Sequence, residues 1–102
     1  MFSWLSAKQS EKFGSELATL LMELMPNDAA LSESKRLSKS NYAKDKMQKR
    51  IMQFRQEEIL NFYKIAKLLN TFKWALKDAG YNESFTDDFT KWILISLQSN
   101  NS

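Results

Sequence analysis

"YAKDKMQKRIMQFRQEEILNFYKIAKLLNTFKWALKDA", Tyr42 to Ala79, runs for 38 residues without a proline or a glycine. One apolar stripe can be followed along it in steps of three and four: Met47, Ile51 and Phe54, then Phe62, Ile65, Leu69, Phe72 and Leu76. Such spacing puts the side chains on one face of an α-helix. The stripe skips between Phe54 and Phe62, where Glu58 interrupts and Ile59 covers the gap from beside it. A second set, Met52, Ile59, Leu60, Tyr63, Ala66 and Trp74, widens the apolar front. A helix apolar over more than one face is buried on more than one face. Unbroken, the segment would be about 57 Å long, against about 27 Å for a helix over residues 7–24. Neighbours from the same chain could not cover such a rod. The pattern therefore predicts a break, placed near Asn70 and Thr71, or pairing of the exposed length with a second chain, and a homodimer is expected.

Outward from this segment the boundaries are marked. On the N-terminal side, Phe13, Leu17, Leu20, Leu21 and Leu24 share one face of a helix over about 7–24. Ser6 and Gln9 fit a capping box at its start, and Pro26 ends it. Gly14 lies inside this helix and costs about 1 kcal/mol relative to alanine, unless it admits a close neighbour. Residues 27–41 are polar and serine-rich and read as a loop or a weak helix. On the C-terminal side, Lys77 and Gly80 form a helix stop, with Tyr81 placed to fold back. A last helix over about 84–97 carries Phe85, Phe89, Trp92, Ile93 and Leu97 on its apolar face, with Glu83, Asp87 and Asp88 at its positive end. Residues 98–102 are a polar tail. The expected fold is all-α: a single domain over 1–102, a small bundle of three to four helices with one long central helix.

Composition excludes more than it selects. Two glycines and one proline leave almost no material for hairpin turns. Without cysteine or histidine the usual zinc and iron ligand sets and thiolate chemistry are out of reach. Apolar runs such as "WILI" at 92–95 are too short to cross a bilayer, and the first residues do not read as a secretory leader. A soluble, cytoplasmic protein is expected. Glu57 with Glu58, and Asp87 with Asp88, are sequence neighbours that point about 100° apart on a helix, so neither pair converges on a substrate. No phosphate-cradling glycine loop and no calcium loop is present. The reading is non-enzymatic, with no catalytic residue, metal ligand or cofactor.

The net charge of +3 is unevenly spread. Eight basic residues lie within 35–55 (Lys35, Arg36, Lys39, Lys44, Lys46, Lys49, Arg50 and Arg55) beside one acid, Asp45. On a helix Lys46, Lys49 and Arg50 share one side, with Lys39 further back if the helix starts that early. Three readings fit: a solvated face, a polyanion site, or a surface for an acidic protein. No aromatic reading motif accompanies the cations, and there is no glycine-containing turn for a helix-turn-helix. The leading expectation is a helical protein–protein interaction or regulatory module, with Phe2, Trp4, Leu5, Ile51, Met52, Ile59, Phe62 and Tyr63 as candidate interface. The alternative is a nucleic-acid or other polyanion module using the eight cations. No small-molecule substrate is expected.

Overall fold

A computed structural model describes residues 7–26, 32–57 and 60–98. They form four helices and no strand: α1 (Lys8–Leu24), α2 (Glu33–Glu57), α3 (Phe62–Asp78) and α4 (Glu83–Gln98). The chain is a small all-α bundle with α2 its longest member.

The long apolar segment does break, but not near Asn70 and Thr71, which lie inside an uninterrupted α3. The break falls between Glu57 and Phe62. Asn61 is the cause that can be named: its backbone is extended (φ −139°, ψ 176°) and its side chain accepts a hydrogen bond from the Lys64 N–H at 2.9 Å. That satisfies one of the unpaired N–H groups that open a helix. The burial of α3 is also rotated from the expected stripe. Lys64, Leu68, Phe72 and Leu76 are buried, Ile65 and Leu69 only partly, and Phe62 is 84% exposed. Buried positions thus follow a straight row of four-residue steps, with Lys64, 1% exposed, buried at its start.

Other boundaries depart from expectation by smaller amounts. At the start of α1 the cap position is Ala7, which offers no side-chain acceptor; Ser6 lies outside the described residues. Much of the segment read as loop or weak helix is ordered helix, since α2 begins at Glu33, with the Ser32 hydroxyl accepting from the Lys35 N–H at 3.3 Å. The stop after α3 is as expected. Gly80 takes the left-handed conformation (φ 85°), its N–H donates to the Lys77 carbonyl, and the Tyr81 N–H donates to the Leu76 carbonyl. Those two bonds are the pair that defines a Schellman stop. Asn82 then caps α4, accepting from the Phe85 N–H at 3.1 Å.

Packing is closest between α1 and α3. Ser10, Gly14 and Ala18 form a row of small buried residues on α1. A Cβ on Gly14 would lie 2.5 Å from the Leu68 carbonyl oxygen and 3.3 Å from the Thr71 Cβ, so the two backbones nearly touch there. Contacts pair Glu11 with Lys67, Gly14 with Leu68 and Thr71, and Met25 with Tyr81, in ascending order on both sides. Hence α1 and α3 run parallel. On the other side Lys44 reaches Phe89 and Trp92, and Arg55 reaches Ser96, so α2 and α4 are parallel too. Around the bundle the order is α1, α2, α4, α3, which leaves α2 and α3, consecutive in sequence, diagonally opposed. Phe13, Leu17, Leu21, Met47, Ile51, Phe54, Leu68, Phe72, Leu76, Phe89, Ile93 and Leu97 fill the space between. No helix among the described residues is long and apolar enough to cross a membrane.

Candidate functional site

Two rows run along α2 on different sides. The inward row is Ala43, Met47, Ile51 and Phe54, all buried. The other is Lys35, Lys39, Tyr42, Lys46 and then the adjacent pair Lys49 and Arg50, in steps of three and four, and every member is exposed. From Lys35 to Arg50 this row is about 22 Å long. Its first half stands clear of the core: from Glu33 to Lys39 every side chain is exposed, Leu37 at 63% included.

Little neutralises the row. Asp45, the sole acid on α2 between Glu33 and Glu57, lies 3.7 Å from Lys49 in an exposed i,i+4 pair, which is worth only about 0.3–0.5 kcal/mol. Lys46 sits 5.3 Å over the ring of Tyr42. Arg50 borders an open groove between α1 and α2, whose floor is the Phe13–Phe54 stack (centroids 4.2 Å apart, planes 6° from parallel) and whose charges, Lys12, Glu16, Arg50 and Glu57, are balanced. The excess positive charge therefore lies upstream of that groove.

The structure divides the eight cations of the basic segment. Lys35, Lys39, Lys46, Lys49 and Arg50 share the exposed flank. Arg36 continues the inward row, two steps before Ala43, and is exposed only because α2 has no neighbour there. Lys44 and Arg55 face α4 instead: Lys44 lies 5.4 and 5.8 Å over the Phe89 and Trp92 rings, and Arg55 donates to the Ser96 carbonyl at 3.4 Å. Those two lie in the α2–α4 seam, away from the exposed flank. Tyr42 is the member that sequence reasoning missed. With the helix start placed near residue 42, this tyrosine read as a helix end rather than as part of a row.

The candidate protein interface also divides. Ile51 is fully buried in the chain's own core, so it cannot meet a partner. Met52, Phe62 and Tyr63 are exposed at 52%, 84% and 54%, on helices that do not pack as neighbours. Lys67 covers the Tyr63 ring at 5.8 Å while standing 3.8 Å from Glu11. Phe2, Trp4, Leu5 and Ile59 lie outside the described residues.

Asp87 and Asp88 are exposed in the first turns of α4, and no group of three or more acidic side chains that could hold a metal ion occurs among the described residues. Scans against protein-family models, curated proteins and solved structures each find no significant match to this chain.

Proposed function

We propose that this protein is a non-enzymatic helical binding module whose working surface is the exposed flank of α2 and whose ligand is a polyanion, nucleic acid foremost. The observation that carries the reading is the row Lys35, Lys39, Lys46, Lys49 and Arg50, exposed throughout, whose acidic neighbours are Asp45, weakly paired to Lys49, and Glu16 and Glu57 in the groove beside Arg50. Cations held in line by a rigid helix can sit against successive phosphates, and the counterions so released drive association. The burial of Met47, Ile51 and Phe54 within the chain supports this choice over a partner helix laid on α2, because the apolar front that would have received it is consumed by the core.

Fluorescence anisotropy of labelled RNA and DNA between about 50 and 300 mM salt tests the reading. Binding that weakens steeply with salt, and is abolished by joint Lys46→Glu, Lys49→Glu and Arg50→Glu substitution without change in helical circular dichroism, is the expected result. Absence of binding at the lowest salt overturns it.

A second reading keeps a protein partner or a second copy of the chain, and one observation favours it: Phe62 exposes 84% of its surface at the start of α3, beside Tyr63. On that reading the chain sediments as a homodimer and Phe62→Asp makes it monomeric. A monomer that is unchanged by the substitution removes it.

A further inference from the structure

We infer that the α2 flank takes a single-stranded nucleic acid, with Tyr42 as the stacking platform for one base; this rests on the polyanion reading above. Tyr42 lies in the middle of the row, four positions before Lys46 and three after Lys39, and is 54% exposed. Lys46 stands over its ring, so a base on the ring's other side would complete a cation, ring and base sandwich. Sites for single strands combine cations that track one backbone with an aromatic face that accepts any base.

The competing polyanions fit less well. A helix that reads a duplex presents base-contacting side chains along the part that enters the groove, with phosphate contacts to either side. Here the cations follow one flank from Lys35 to Lys49 and Arg50, and Asn41 and Gln48, suited to base edges, lie on the other side of the helix. Insertion into a lipid surface calls for large apolar side chains beside the cations. The row has no large aliphatic side chain, and Leu37, the one in this exposed stretch, points away from it.

The test titrates the full chain by calorimetry with four probes: a single-stranded oligonucleotide, the duplex of the same sequence, inorganic polyphosphate, and phosphatidylserine vesicles. The single strand is expected to bind more tightly than the duplex, with a slope of log K against log salt near about −3.5 if all five cations engage. Tyr42→Ala is expected to weaken the single strand by roughly five-fold or more while leaving polyphosphate, which has no bases, unchanged. Tyr42→Trp should restore the loss. Because Tyr42 is exposed, neither variant disturbs the core. Equal or tighter binding of the duplex, an equal loss for polyphosphate, an indifferent Tyr42→Ala, or binding to vesicles alone would each overturn the single-strand assignment. Failure to bind any of the four probes overturns the parent reading instead, so the two failures are distinct.

Discussion

Gly14 shows how one side chain, by its absence, fixes the geometry of the bundle. A methyl group there would press on the Leu68 carbonyl, a backbone atom with no rotamer by which to yield. Gly14→Ala gains about 1 kcal/mol of helix propensity but incurs an overpacking penalty of about 1–3 kcal/mol. A net loss of up to about 2 kcal/mol is expected in urea unfolding, and a more stable variant would contradict the close approach. Thr86 makes the opposite case. Its hydroxyl is buried with no hydrogen-bond partner, as is that of Ser10. Burying an unpaired hydroxyl is unfavourable, so the isosteric Thr86→Val should leave stability unchanged or raise it by up to about 1 kcal/mol in the same assay. Ile51→Asp should unfold the monomer rather than merely split an assembly, since it would bury a charge at 0% exposure. The sequence could not separate these roles. Gly14 looked equally like tolerance and purpose, and the turning of Lys44 toward Phe89 and Trp92 depends on where α4 lies, which no local pattern states.

At the scale of elements, helix ends were legible where a side chain and a glycine announce them and misplaced where they do not. The stop at Lys77 and Gly80 could be read because left-handed backbone strongly favours glycine. Asn61 was passed over because Phe54 and Phe62 suggested a continuing stripe, although the interruption at Glu58 lay beside the true break. Asn61→Ala should cost about 1 kcal/mol through loss of the cap to the Lys64 N–H, seen as a lower unfolding midpoint. The first turns of α2 invite a different measurement. From Glu33 to Lys39 no buried contact supports the helix, whereas Ala43, Met47, Ile51 and Phe54 anchor the remainder. Amide hydrogen exchange should therefore be fast over 35–40 and slow over 47–54; uniform protection along α2 would mean that something covers its first turns.

Over the whole molecule, the all-α class and the count of helices followed from periodicity and from the scarcity of glycine and proline. The ring order did not, because a helical stripe says that a face is buried without saying against what. The same gap hid how the basic segment divides. The concentration of charge in 35–55 was plain, but its sorting into five exposed cations on one flank, one on the inward row and two that brace α4 depends on the packing. One side of α2 is strongly basic, while Asp78, Glu83, Asp87 and Asp88 cluster in sequence around the α3–α4 turn. Association of an anionic partner with the basic side of α2 should accordingly be fast at low salt. Its rate should fall by an order of magnitude or so between about 50 and 300 mM salt in stopped-flow mixing, while dissociation changes less.

The diagonal placement of α2 and α3 bears on how the chain reaches this state. Of the consecutive pairs, α1 with α2 and α3 with α4 can zip as local hairpins, but α2 with α3 cannot. The closest seam, α1 against α3, joins residues separated by about half the chain. Its closure entropy must be met before the interlock around Gly14 offers any return. Search, rather than helix formation, should then limit the folding rate.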